Sequence, residues 1–293
     1  MEKKNYLNNK ELLKEIHKSK ISYSWVKEQK YGMYDIIIRD MNELNEETLL
    51  QACTNRAKRL SIEKFDKDHK IWEDSNSSKN TKPKLADYTI NPDTITNSDI
   101  VIRLMTHDHI PLNPKKLNPK TVSDAHIRCN FPPFKHFVYV NNELVEVVRS
   151  HWSGDLDTGS FSLTKGKMTN KLGSMMIMLV SRYSMRGNWR GYSYIDEMRS
   201  AALVQLAQIG LYFDESKSLN PFAYYTTSLT NSFTGVLNSE KRTQNIRDDL
   251  LQDNGYLPSF TRQLNDEESQ QNARKADYDI KLEQEQKDFG ING

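Results

Sequence analysis

Two groups of side chains in this 293-residue sequence have types and spacings that chemistry or recognition could use. The first is His107-Asp108-His109 with His126 and Cys129. Imidazole and thiolate bind zinc, but such a site takes four convergent ligands at about 2.0–2.3 Å, and His-x-His plus His-x-x-Cys is not a closed pattern. Ordinary loop residues are the expectation here, with no metal and no cofactor. The second group is aromatic and basic. Phe222, Tyr224 and Tyr225 stand together, Trp189 and Tyr192 precede them, and Lys241, Arg242 and Arg247 follow. Rings can stack on unpaired bases and cations can hold phosphates. Taken alone, the same rings would pack a core and the same cations would line a solvated face. No glycine-rich phosphate loop, nucleophile elbow or carboxylate pair in a defined setting is present, so the chain is not expected to be an enzyme.

The elements that must position these groups follow from periodicity and punctuation. Residues 8–19 predict a short helix with an asparagine cap and apolar Leu12, Leu13 and Ile16. Tyr34–Ile38 is rich in β-branched residues and predicts a strand. Asn45-Glu46-Glu47-Thr48 opens a helix expected to reach about Phe65, with Leu49, Leu50, Ala52, Cys53 and Leu60 as apolar members. Residues 66–95, which contain DSNSSKNTKPK, predict a mobile linker. Asp99–Met105 predicts a strand, and prolines 111, 114, 119, 132 and 133 then punctuate an irregular segment. Phe137–Val140, Asn141-Asn142 and Leu144–Val148 predict a hairpin, because asparagine tolerates the positive φ of a tight turn. DIIIRDM at 35–41 and DIVIRLM at 99–105 match at five of seven positions. Two buried strands drawn from one small alphabet explain that more plainly than a duplicated unit.

From residue 166 the pattern is helical. Leu172, Met175, Met176, Leu179 and Tyr183 fall on one face of a helix over 168–186. A second helix is expected from Ser193 to about Tyr212, burying Ile195, Met198, Ala202, Leu206, Ile209 and Phe213. Pro221 suits the first turn of a third, which runs to about Leu237 with further helix to Leu251. Beyond Pro258 the tail is polar and expected to be disordered, with a helical tendency at 266–286.

Bulk properties bound the reading. The net charge is only +2, but residues 165–250 carry eleven Lys/Arg against seven Asp/Glu, whereas 251–293 carry five against nine. That asymmetry permits a DNA-facing middle and an acidic tail. Two cysteines are too few for a disulfide framework, so a reduced cytoplasmic setting is expected. No apolar run approaches the roughly 18 residues of a membrane span, and MEKKNYLNNKELL lacks the core of a signal peptide.

The string IDEMRSAALVQLAQIGLYFDESKSLNPFAYYTTSLTNSFTGVL at 195–237 resembles conserved region 2 of the bacterial sigma family. Phe213-Asp214 matches the pair that ends a polymerase-docking helix, Glu215–Asn220 the charged turn, and Phe222–Tyr225 the entry to a promoter-opening helix. With NYLNNKELL at 5–13 and MTNKLGSMMIMLVSRYSMRGNWRGYSYIDEM at 168–198, the chain is similar to the late-transcription sigma-like factors of T-even-type tailed phages and their cyanobacterial-virus relatives. The resemblance covers residues 5–13 and about 160–262.

The element pattern predicts an α+β, mainly α protein, with a helical domain, a mixed, partly β insertion and a polar tail. The expected segments are an N-terminal arm and α/β segment at 1–65, a polar linker at 66–95, a mixed insertion with a β-hairpin at 96–160, the helical domain at 161–251 and an acidic, disordered tail at 252–293. The resemblance makes the 161–251 domain sigma region-2-like, with three or four helices. It implies a factor that binds host RNA polymerase core and melts a short A·T-rich minus-ten element of phage late genes, in the cytoplasm of the infected bacterium. Promoter reading and melting fall to Trp189, Tyr192, Phe222, Tyr224, Tyr225, Asn231 and Thr234, and phosphate contact to Lys241, Arg242 and Arg247. Glu197, Ser200, Leu203, Gln205 and Gln208 match the face that meets the clamp coiled coil of the largest subunit. A phage sliding clamp, gripped by Asp288, Phe289 and Ile291, and a late co-activator are the further implied partners, with no membrane. The sequence departs from the pattern in two places. Thr227 and Ser228 stand where housekeeping factors carry paired tryptophans, and nothing after 251 resembles the helix-turn-helix that reads the minus-thirty-five element. Two alternatives stay open: a metal-dependent nuclease or hydrolase built on 99–152, and a polymerase-binding regulator that reads no DNA.

Overall fold

The computed structural model describes residues 7–74 and 83–288. The chain divides into two compact units, Met1–Thr230 and Asn231–Gly293. Helix α1 (Asn9–Ser22) begins at the expected cap, where Asn8 Oδ1 accepts from Lys10 N, and it buries Leu12 and Ile16. Strands β1 (Ser24–Val26) and β2 (Ile36–Ile38) follow. The next helix, α2, runs Glu46–Asp74, so its expected end near Phe65 is corrected by nine residues. Ala52 and Cys53 are buried on it as expected, whereas Leu50 is exposed. The linker expectation for 66–95 is corrected too. Residues 66–74 continue α2, and 3-10 turns at Leu85–Tyr88 and Pro92–Thr94 lie along it, with Ile90 N donating to Ser61 Oγ. The remainder of that stretch, 75–82, lies outside the described residues.

Strand β3 (Ile102–Met105), a one-turn helix α3 (Val122–Ala125), and the hairpin of β4 (Phe134–Val140) with β5 (Glu143–Ser150) come next. Asn141 and Asn142 have φ of 51° and 67°, the left-handed pair that a two-residue hairpin turn demands. The sheet order is β1-β5-β4-β3-β2, antiparallel except for the β2–β3 pair. Parallel neighbours need a crossover, and α2 supplies it. Its Ala52 and Cys53 join Ile38, Ile100, Ile102 and Leu104 in one apolar cluster. Side chains alternate along a strand, so Arg103 and His136 point to the other face, where α1 lies. The sheet joins residues 24–38 to 102–150, so segments 1–65 and 96–160 are one body rather than an arm and an insertion.

A short ribbon of β6 (Trp152–Ser153) and β7 (Ser160–Phe161) leads to α4 (Asn170–Ser184) and α5 (Ile195–Ile209). The expected stripe on α4 is buried throughout, as are Met198, Ala202 and Leu206 on α5. Helix α6 runs without a break from Pro221 to Asp253, and the division into units falls within it at 230/231 instead of at 251.

In the second unit, Gly255 takes φ +76° just after α6, and α7 (Phe260–Asp288) begins from a Ser259 held by Asp248, at 3.0 Å from N and 2.6 Å from Oγ. The tail from 260 to 288 is helical, which corrects the expectation of disorder, and the helix contains the stretch 266–286 where a helical tendency is expected. Its stretch carries no glycine or proline to stop a helix.

Candidate functional site

The segment that links α5 to α6, Gly210–Asn220, is gripped by cations from four places in the first unit. Lys20 of α1 donates to Phe213 O at 2.6 Å and to Glu215 Oε2 at 2.5 Å. Arg39, just after β2, donates to Ser216 O at 3.0 Å. Arg103 of β3 stands 3.8 Å from Glu215 Oε1. Arg128 donates through Nε to the Tyr212 hydroxyl at 3.0 Å. Arg39 and Arg103 are the matched arginines of the two D-I-x-I-R stretches. The repeat is spaced by 64 residues and the β2–β3 register by 66, a two-residue difference that keeps the same face.

Arg103 has no exposed surface. Its guanidinium lies between the rings of Tyr34 and Phe134, at 4.0 and 3.9 Å. Its Nε donates to His136 Nε2 at 3.0 Å and its terminal nitrogen to His17 Nδ1 at 2.9 Å. Both imidazoles can accept because their other nitrogen donates to a carbonyl, His136 Nδ1 to Tyr31 O and His17 Nε2 to Gly32 O. Burial, then the nearby Arg103 charge, hold both histidines well below their ordinary pKa of 6.5. Burial also lowers the Lys20 ammonium pKa, against the pull of Glu215. Two buried cations thus share one buried carboxylate, and the deficit is met by neutral acceptors and ring faces.

At the start of α6 the aromatic residues separate. Phe222 is 37% exposed, its backbone N–H donating to Asn9 Oδ1 at 3.1 Å. Tyr224 is half-buried, edge-on to Phe213 at 5.6 Å. Tyr225 is fully buried, with its hydroxyl on Gly210 O at 2.6 Å, and burial raises its pKa. Tyr225 is therefore a core residue and cannot stack on a base in this conformation, which corrects that expectation. Trp189 is buried as well, 6.3 Å from Tyr183 and 6.4 Å from a half-buried Tyr192. It too belongs to the packing.

Phe222 instead opens on a pocket of about 230 Å³ that also takes in Leu7, Arg182, Tyr183, Arg186 and Thr226. Arg182 and Arg186 are one turn apart on α4 and its end, and the Arg186 guanidinium lies 4.4 Å over the Tyr183 ring. Sequence reasoning missed both arginines, although i, i+4 spacing beside Tyr183 was visible.

On α5, Glu197, Ser200 and Gln208 share an exposed face centred on Val204, itself 59% exposed. Leu203 and Gln205 flank that face, half-buried. In the second unit Asn231 is exposed and Thr234 half-buried. Lys241, Arg242 and Arg247 are exposed and form no ion pair among the described residues. Asp288 is the last residue of α7, and Phe289 and Ile291 lie outside the described residues.

The candidate ligand set does not assemble. His109 Nε2 bonds Ser150 O at 2.9 Å, while burial takes its pKa down to about 4. His126 Nδ1 bonds Val122 O at 2.7 Å. Burial pushes the Cys129 thiol up to about 11. Among the described residues, no three His, Cys, Asp or Glu converge as a metal-holding group.

Fold and site together define a mixed α+β, mainly helical protein, and no helix among the described residues is long and apolar enough to cross a membrane. No family model matches the chain, and no curated protein or solved structure matches it at a significant level.

Proposed function

We propose that the chain is a sigma-type initiation factor that docks on a bacterial RNA polymerase core and nucleates melting of a short A·T-rich promoter element. The observation that carries this reading is the pocket at Phe222. A partly exposed ring there stands beside two arginines, in a space smaller than a drug-sized site and on the scale of one heterocycle. The two separate stretches of resemblance also meet at this point. Leu7 and Asn9 come from one and Phe222 from the other.

The energetics divide the work. Opening about ten base pairs costs well over 10 kcal/mol, at roughly 1.4 kcal/mol per step. One base captured on a ring returns only about 1–3 kcal/mol. The factor therefore starts the opening at an easily unstacked step, and the polymerase holds it. Phe222 takes the stacking role, with Tyr224 at its edge, while Arg182 and Arg186 draw the adjoining phosphates. The exposed face of α5 docks on the polymerase, and Asn231 and Thr234 face the upstream base pairs.

The test is reconstitution of core polymerase with the protein on templates carrying A·T-rich minus-ten elements. Specific initiation is expected. Phe222→Ala should cut permanganate-reactive open complex about tenfold, the loss of one stacked base, with core binding unchanged. No specific initiation on any such template would overturn the proposal.

A further inference from the structure

A cleft of about 610 Å³ opens between segment 107–133 and the connector residues Tyr212, Asp214 and Lys217. It shares no lining residue with the pocket at Phe222, and its volume lies in the range of small-molecule sites, about 300–1,000 Å³. Part of the lining is apolar, from Ile127, Phe131, Pro132 and Pro133.

The polar lining has donors to spare and its acceptors are largely spent. Asp214 receives the Ser216 N–H and hydroxyl, with Lys217 at 3.3 Å, and these contacts hold its carboxyl below the usual range despite burial. Asp124 has Lys116 at 3.9 Å. Arg128, by contrast, uses only Nε, on Tyr212, and its guanidinium lies 5.3 Å over that ring. Among the described residues nothing accepts from its two terminal nitrogens. That planar edge is the one that pairs with two oxygens of an oxyanion. His126 donates through Nδ1 to Val122 O, so its Nε2 is left to accept from a ligand hydroxyl or amino group. The His107 ring, 5.4 Å from it, makes no hydrogen bond among the described residues.

We propose that this cleft binds a mononucleotide unit. Its phosphate lies on the open edge of Arg128 with Lys116 nearby, its base against the Tyr212 and proline surfaces, and its hydroxyl or amino groups toward His126. The inference rests on the cleft alone, so its failure would leave the promoter-melting proposal standing, and the reverse holds too.

The probes are AMP, adenosine and inorganic phosphate, titrated calorimetrically into the full chain. AMP is expected to bind with a Kd on the order of 0.1–1 mM, more tightly than adenosine, and phosphate should compete. Arg128→Gln should weaken AMP about tenfold or more, the loss of a charge-assisted bidentate contact. Lys116→Gln, which leaves the Tyr212 contact intact, should weaken it less. A 5′-phosphorylated trinucleotide separates the sources. Tighter binding than AMP assigns the unit to a strand end, equal or weaker binding to a free nucleotide, and both support the site. Absence of AMP binding at about 10 mM, or wild-type affinity in both variants, would overturn it.

Discussion

Arg103 is a full charge with no exposed surface, and its tolerance depends on the protonation state of its neighbours. His17 and His136 accept from it only while neutral. Adding a proton to either removes the acceptor and places a second cation beside the first. Their native pKa values lie well below 6.5, so between those values and 6.5 the unfolded chain binds the proton and the folded chain does not. The stability they contribute is therefore complete above 6.5 and is lost as pH falls toward the depressed native values. Urea midpoints should drop as pH is lowered from 7 to about 5, and less steeply in the His17→Gln/His136→Gln variant, where neither position titrates. Identical pH slopes in the two proteins would show that these imidazoles do not hold the charge.

At the scale of elements, the connector between α5 and α6 is the piece that the sheet side of the first unit holds in place. Glu215 is the one buried carboxylate between Lys20 and Arg103. Glu215→Gln keeps the shape but removes the buried counter-charge that both cations share, and should cost about 3–5 kcal/mol in urea denaturation. Lys20→Met combined with it should recover part of that, giving a coupling energy above about 1 kcal/mol in a double-mutant cycle. Additive effects would mean that the pair does not interact. This network was not legible in the sequence, because its members stand at positions 17, 20, 103, 136 and 215 and no local pattern links them. The one visible hint was the pair of D-I-x-I-R stretches, whose arginines both reach the connector. Local chemistry was legible wherever a rule acts at short range. The Asn141-Asn142 turn, the α4 stripe and the Asn8 cap all formed as their spacing required. The polar stretch after Phe65 was misread because polarity was taken for a break. Yet Phe65, His69 and Trp72 recur at four and three residues, and their rings stand 5.3 and 5.7 Å apart along α2, a helical signature with no glycine or proline to oppose it. The rings of α6 were misjudged for a different reason. Which of Phe222, Tyr224 and Tyr225 is exposed depends on what packs against the helix, and Tyr225 is the one that faces inward.

For the whole molecule, the net charge of +2 gives no general attraction to DNA, so any affinity must come from local surfaces. In the second unit, Asn231, Thr234, Asn238 and Lys241 recur at intervals of three, four and three on α6, one face of a helix, and Arg242 adjoins it with Arg247 further along. Cations that meet phosphates release counterions, and each such contact contributes about 0.9 to the slope of log affinity against log salt on duplex DNA. Replacing Lys241, Arg242 and Arg247 together by glutamine should therefore reduce that slope by about 2–3 for the polymerase-bound factor. The loss should be equal on matched and mismatched promoters, because phosphates carry no sequence information. Phe222→Ala should do the opposite, sparing the salt slope while open complex declines. A triple variant with an unchanged slope would show that this face of α6 meets solvent rather than DNA, and would confine recognition to the first unit.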